Sequence, residues 1–466
     1  MPAHARPRTW LALVSTLIIG AAAVACGGPA ASPQRTTPAA TGGAPTGAAP
    51  TGTAPTGTAP GGGGGITMLS TQLNPVAEAE KMQTAILAGF EGGATFVGAA
   101  DTGAFSDQVR AQDEAGTGDI SLLGGLHGEF SALAEEGLLM DLSDVAGELT
   151  DVNAEYMELG KLGGDQQLYI PWMQNTYIMA ARQEAMEHLP DGADLNALTW
   201  EQVSEWGAAI ATATGEQKLG FPAGTDGLWH RFFQGYAYPS FTGALNTGFA
   251  SEEAVGMWSW LADTWETSVN PQSTTYAFMQ EPLQSGDVWI AWDHAARLIE
   301  GLRNMPEDIV AFPAPAGPEG RGFMPVLAGL SIPNSAPDPE GAKDLIRYLL
   351  SAETQATTLS EVAFFSVLTT ELPGELDAGI QAEQEAIAAM TGADDALPSL
   401  LPIGLGDQGT AYNQVFRDAF QQIVLEGGDP ATVLAERLPD IQAALDTSGA
   451  ACWQPDPPSE GACQAQ

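Results

Sequence analysis

Gly164-Asp-Gln-Gln-Leu-Tyr-Ile-Pro-Trp-Met-Gln-Asn-Thr-Tyr-Ile-Met-Ala-Ala-Arg-Gln-Glu-Ala-Met186 reads as two extended runs placed back to back. A Gly163-Gly164-Asp165 turn opens it, and Leu168-Tyr169-Ile170 forms an apolar run. Pro171, which has no N–H to give a sheet, interrupts that run. Thr176-Tyr-Ile-Met179 is the second run, and a helical pattern begins at Arg182. Between the runs, Trp172, Gln174 and Asn175 put an aromatic ring and two amides at a break in extended structure. The two runs meet at this joint.

The segment before the joint alternates strand and helix. Ile66–Leu69 reads as a strand, Pro75 opens a helix, Ala94–Val97 is a second strand, and Phe105–Ala115 is a helix. Asp119–Leu123 is a third strand that ends in Gly124-Gly125, and a helix over Glu129–Glu136 stops at Gly137. This rhythm predicts a doubly wound parallel sheet, whose ligands bind beyond the carboxyl ends of the strands. The loops at Gln72–Asn74 and Gly124–His127 are therefore candidate walls. After the joint, Thr199 caps a helix, and Val255, Trp258, Leu261 and Trp265 form a core stripe on another. Trp200 and Trp206 read as packing residues. Tyr412–Leu445 reads as two helices linked by Gly427-Gly-Asp-Pro430.

The N-terminal region is a different material. Arg6 and Arg8 precede an apolar run, Trp10–Ala25, that is too short for a comfortable membrane span and reads as a signal peptide over residues 1–25. Ala23-Val-Ala-Cys26-Gly resembles a lipobox, which implies lipid on Cys26 and anchoring to the cell membrane. Residues 26–65 repeat Ala-Pro-Thr-Gly and end in a Gly run, with nothing apolar to bury, so a disordered linker is expected. As a coil it would span roughly 35 Å. Cys452 and Cys463 are then free to pair in an oxidising compartment, and the short loop between them would staple a tail, residues 451–466, rather than hold a core. The chain carries 58 acidic residues and 16 Lys plus Arg, for a net charge of -42. Nucleic acid and anionic lipid surfaces are poor partners for such a surface.

Several stretches resemble one family. Tyr169-Ile-Pro-Trp172 with Tyr177 resembles the first lobe crossing of bacterial extracellular solute-binding proteins, family 1, the sugar-type receptors of ABC importers. Gly118-Asp-Ile-Ser-Leu-Leu123, Ala134–Leu142, Thr199-Trp-Glu-Gln-Val203, Gln284–Asp293, Ile309–Pro318, Phe323–Pro333 and Glu340–Gln355 are similar to its later motifs. The resemblance implies an α/β, two-lobed periplasmic-binding fold of type II, each lobe a doubly wound sheet flanked by helices, with a hinge. Lobe one would hold residues 66–178 and 312–368, and lobe two 179–311 and 369–450. It further implies an extracytoplasmic monomer that captures a small solute, a saccharide first, and presents it to the permease subunits of an importer. Ala295 and Ala328 stand where the family often has aromatics, so the stacking pattern departs from the usual one.

No catalytic constellation emerges. The five His lack metal-ligand spacing, and there is no Gly-x-Ser-x-Gly elbow or Gly-Lys-Ser/Thr phosphate loop. With 58 acids, chance carboxylate pairs are guaranteed, so a hydrolase is the weakest reading, and neither cofactor nor metal is expected. Sugars are held by aromatic faces and by planar amide or carboxylate groups. The candidate ligand contacts are Gln72, Trp172, Gln174, Asn175, Trp229, Trp292 and Asp293, all at strand-to-loop or strand-to-helix junctions. Core packing is the alternative for each Trp, and backbone capping for each polar residue. An anionic or peptidic solute is the alternative ligand class. It would need cleft arginines, for which Arg182, Arg231 and Arg297 are placed.

Overall fold

The computed structural model describes residues 65–466. The signal peptide, Cys26 and nearly all of the linker lie outside the described residues. Two sheets organise the rest. The first has six strands in the order β11-β4-β10-β3-β1-β2. They are β1 (Ile66–Ser70), β2 (Ala94–Gly98), β3 (Ile120–Leu126), β4 (Ile170–Asn175), β10 (Val326–Ser331) and β11 (Phe365–Ser366). The second sheet runs β6-β7-β5-β8. It comprises β5 (Tyr177–Arg182), β6 (Leu219–Gly220), β7 (Ile290–His294) and β8 (Ile309–Phe312). A small parallel pair, β9 (Arg321–Phe323) with β12 (Ala396–Pro398), stands apart.

Each sheet is mixed rather than wholly parallel. β1 pairs parallel with β2 and β3, as the alternating rhythm predicts, but β10 runs antiparallel between β3 and β4. β5 likewise runs antiparallel to both β7 and β8. Returning segments cause this, since a chain that crosses back and forth inserts strands of the opposite sense.

The joint differs from expectation in one respect. Pro171 does not end the first run, and β4 continues through it to Asn175. Pro171 sits opposite Gly329 where the register shifts, so the missing N–H falls at an irregularity in the ladder. Only Thr176 separates the two sheets. Its Oγ1 donates to the Met324 carbonyl at 2.9 Å. The Tyr236 hydroxyl accepts the Tyr177 N–H at 2.9 Å and donates to the Tyr177 carbonyl at 3.0 Å. Asn175 donates to the carbonyl of Ala363 at 2.7 Å, a residue held at φ 53. The chain crosses again between Phe312 and Val326, and once more after Ser366.

Each sheet has its own core. Met68, Leu122, Ile170, Trp172 and Leu330 belong to a cluster around the first. A larger one around the second is rich in aromatics: Tyr177, Trp229, Phe232, Phe233, Tyr236, Trp258 and Trp292. Thr199 caps its helix in a reciprocal box with Gln202, and Trp200 and Trp206 are buried. The family-like stretch Glu340–Gln355 spans two helices, Pro339–Leu349 and Ala352–Val362, because Ser351 accepts the Thr354 N–H and starts the second. The tail is also more than an appendage. Cys452 and Cys463 are bonded, with Cα atoms 4.6 Å apart, and Cys463 and Trp453 are buried in the larger cluster. Asp456 accepts the N–H groups of Leu245, Asn246 and Thr247 at 2.7–3.1 Å.

One buried group works against stability. Glu383, on the helix Ala378–Thr391, is fully buried, and neither carboxylate oxygen has a partner. Burial pushes its pKa well above the carboxylate range, against the weaker pull of Arg303. A raised folded pKa means that the native state binds the extra proton, so stability is full below the unfolded value and falls as pH rises through it. Glu383→Gln is therefore expected to match the parent at pH 4. It should gain on it at higher pH by up to about 1.4 kcal/mol per pH unit over the affected range. Urea titrations at pH 4 and pH 8 check this, and an equal effect at both would show that Glu383 does not titrate between them.

Candidate functional site

The carboxyl ends of β1 and β3 and the start of the helix Thr102–Ala115 converge on one carboxylate, that of Glu129. Thr71 Oγ1 donates to it at 2.5 Å, Thr102 Oγ1 at 2.7 Å and the Leu126 N–H at 2.7 Å. Three donors, one just after β1, one at the end of β3 and one at the start of the helix, fix its position, as a binding group held ready for a ligand should be. Facing it from the second sheet's side is a chain of polar side chains. Arg231 donates to the Gln234 amide oxygen at 3.1 Å, and Gln234 donates to Asn413 at 2.8 Å. Thr102, Glu129, Arg231 and Asn413 line one cavity of about 290 Å³. Its walls include no aromatic ring.

A second cavity, of about 900 Å³, opens beside the crossing. Tyr156, Gln174, Asn175, Thr176, Glu371 and Gln384 are among its polar groups, with Phe365, Leu372 and Ile387 among the apolar ones. Between the two runs the segment Pro398–Asp407. Pro398 and Leu400 face the larger cavity, and Leu401, Pro402, Leu405 and Asp407 the smaller. It is pinned by Ser399, whose N–H donates to the Phe323 carbonyl at 2.8 Å and whose hydroxyl donates to Gln234 O at 2.7 Å. Pro402 also meets Gly128 of the first lobe, where a Cβ would collide with the proline carbonyl.

The predicted contacts separate into two groups. Gln174 and Asn175 line the larger cavity, although both are already engaged: Gln174 with Tyr156 and the Ser366 carbonyl, Asn175 with Ala363 O. Gln72 stands one residue behind the fixed carboxylate, donating to Thr71 Oγ1 at 3.0 Å. The three tryptophans are corrected to core residues. Trp172 and Trp292 are 0% exposed and Trp229 1%. Trp292 stacks on Tyr177 with centroids 4.7 Å apart, and Trp229 stacks on Phe232 at 4.4 Å. Asp293 is likewise buried. It lies in β7 instead of capping a helix, and accepts the N–H groups of Met279 and His294 at 2.8 and 2.7 Å. Burial first, against the attraction of Arg297, raises its pKa to about 6. Sequence reasoning missed Thr71, Thr102, Glu129 and Asn413. The candidate wall Gly124–His127 stopped two residues short of Glu129.

The model of the bacterial extracellular solute-binding protein family matches residues 75–356, more than half of the chain. The chain belongs to this family. Solved structures carry the same fold as this solute-binding protein. Maltose-bound MalE3 of T. maritima aligns with a TM-score of 0.65 and 16% identity over 82% of this chain and 99% of that one. The GacH receptor of Streptomyces glaucescens, solved unliganded and with acarbose, aligns at 0.64 with 17% identity over 82% and 98%. UgpB of Mycobacterium tuberculosis, in complex with glycerophosphocholine, aligns at 0.62 with 15% identity over 83% and 99%. No curated protein matches the solute-binding protein by sequence. Among its described residues no helix is long and apolar enough to cross a membrane.

Proposed function

We propose that this protein is the extracytoplasmic receptor of an ABC importer, capturing a small saccharide between its lobes and delivering it unaltered to the membrane permease. The observation that carries the reading is the Glu129 carboxylate, fixed by Thr71, Thr102 and Leu126 N–H and set across a cavity from Arg231 and Asn413. With three of its lone pairs taken, the carboxylate has one left to accept a sugar hydroxyl, and an amide with a guanidinium adds further donors across the cavity. The saccharides in the MalE3 and GacH structures support the ligand class. Residues 66–178 with 312–368, and 179–311 with 369–450, are the bodies that close, hinged near Thr176. A signal peptide over 1–25, lipid on Cys26 and a linker to residue 65 would tether a monomer to the outer face of the cell membrane.

The test is a thermal-shift and calorimetric screen of the purified protein against neutral mono- and oligosaccharides. A binding sugar is expected, and Glu129→Ala is expected to weaken it by about tenfold or more, the equivalent of one charge-assisted hydrogen bond lost. If no saccharide raises the melting temperature while another solute class does, the sugar assignment fails. Full affinity in Glu129→Ala would remove the assigned site.

A further inference from the structure

Gln234 decides which way a neighbouring amide points. It is fully buried, three residues beyond Arg231 on a continuous helical run, a spacing that puts both on one face. An amide side chain has one accepting and one donating end of nearly equal shape, and its partners decide which end goes where. Here the decision starts at Arg231. A guanidinium only donates, so the Gln234 atom 3.1 Å from Arg231 Nη1 is the oxygen. The other end, Nε2, is a donor, and it lies 2.8 Å from Asn413. Asn413 must meet it with Oδ1, since Nδ2 would set two donors face to face. That leaves Nδ2, with its two N–H bonds, as the free end. Among the described residues it has no hydrogen-bond partner, and Asn413 lines the cavity that holds Glu129.

The frame around this relay is held at both ends. The Gln234 carbonyl accepts the Ser399 hydroxyl at 2.7 Å. Tyr412, next to Asn413 on the helix Gly409–Phe420, is fully buried and donates to Asn246 Oδ1 at 2.7 Å. The same logic runs there: Asn246 Nδ2 donates to Asp456 at 3.0 Å, so its oxygen is the end left for Tyr412. The amides of Gln234 and Asn413 exchange ends only by breaking the bond to Arg231. Across the cavity, Asp101, Asp107 and Glu129 bring carboxylates, which accept. The two walls therefore differ in polarity, and a hydroxyl-bearing solute serves both, donating to one and accepting from the other.

We infer that Gln234 is a positioning residue of the solute site: oriented by Arg231, its amide turns Asn413 so that Nδ2 faces the cavity, and the solute meets this wall with an oxygen acceptor, whether a hydroxyl, ring or carbonyl oxygen. Gln234 itself touches no solute. The inference rests on the cavity beside Glu129 being the place where the saccharide is held.

Two experiments test it, the first without any solute. The near-isosteric Gln234→Met is made in the parent, in Asn413→Asp and in Asn413→Ala, and each pair is compared by urea unfolding. Asn413→Asp keeps the oxygen that Gln234 needs and removes the outward donor. Gln234→Met is expected to lower the folding equilibrium constant more in the parent and in Asn413→Asp than in Asn413→Ala, by about fivefold or more, the size of one hydrogen bond. A cost in Asn413→Asp no greater than in Asn413→Ala overturns the inference. In the second experiment glucose, maltose and chitobiose are titrated into the parent, Asn413→Asp and Gln234→Glu proteins. Gln234→Glu keeps the oxygen that Arg231 needs but cannot donate, so Asn413 must turn Nδ2 inward. A sugar that binds the parent is expected to lose about tenfold in affinity in both variants. Affinity equal to the parent's in both overturns the inference while the saccharide reading stands. If none of the three sugars binds the parent, the saccharide reading falls, and the unfolding comparison alone decides the orientation of Asn413.

Discussion

Trp292→Ala is expected to cost about 3–5 kcal/mol of folding stability, the range for removing a large aromatic from a core. The indole is fully buried in β7. It stacks on Tyr177 at 4.7 Å and 5°, and takes edge contacts from Phe232 and Tyr236 at 5.2 Å each and from Trp229 at 6.2 Å. Aromatic pairs of these geometries add about 0.5–1.5 kcal/mol each beyond area burial. The loss also propagates, because Tyr236 holds both backbone groups of Tyr177 at the crossing. Trp292→Phe should cost much less. The indole N–H has no partner, so no hydrogen bond is lost, and only part of the volume goes. Urea unfolding of the two variants measures both. A Trp292→Ala protein that melts like the parent but no longer binds solute would restore Trp292 as a ligand platform.

The tryptophans show where the sequence stops being legible. β7 reads as buried at every position, Ile290 through His294, so the two-residue alternation that would assign faces is absent. A Trp at a strand end then looks the same whether it faces a cleft or a neighbouring helix. Local chemistry was readable: the Thr199 box, the Asp429-Pro430 helix start and the strands β1 to β3 all follow from caps, prolines and periodicity. The crossing was readable too, through the resemblance of Tyr169-Ile-Pro-Trp172 with Tyr177 to the family's first lobe crossing. The proposed binding group was not. Thr71 and Glu129 are 58 positions apart, and Glu129 shares its cavity with an arginine on the short helix Trp229–Phe232. Nothing local marks a carboxylate that acquires its role from partners so far along the chain. The antiparallel insertion of β10 is likewise a long-range event, set by where the chain returns.

Gly128→Val is expected to weaken solute binding by about 5–150-fold while leaving the melting temperature of the solute-free protein near that of the parent. Gly128 has no left-handed backbone angle, so a side chain brings no local strain. The obstacle is across the cleft. A Cβ there collides with the carbonyl of Pro402, and the Cα of Ile403 lies only 3.4 Å away. A backbone carbonyl cannot rotate aside as a side-chain tip can. This one is held by a segment whose Ser399 is bonded to Phe323 and Gln234, and whose Leu400 N–H donates to the Gln454 carbonyl at 3.0 Å. Leu401 and Leu405 bury their side chains on the second lobe's core. On the other side the Gly128 loop is fixed by His127 on the Tyr169 hydroxyl at 2.7 Å. Neither wall yields cheaply, and overpacking of this kind costs about 1–3 kcal/mol. If the lobes open as proposed, that cost falls on the closed arrangement alone, and a ligand that favours closure must overcome it, so it appears as lost affinity. Gly128→Ala should lie between the parent and Val, since it adds the colliding atom without the branches. Unchanged affinity in Gly128→Val would mean the contact is not made when solute binds. Unfolding of the solute-free variant would mean the contact is permanent, and the lobes would then have to move about some other point than the Gly128–Pro402 seam.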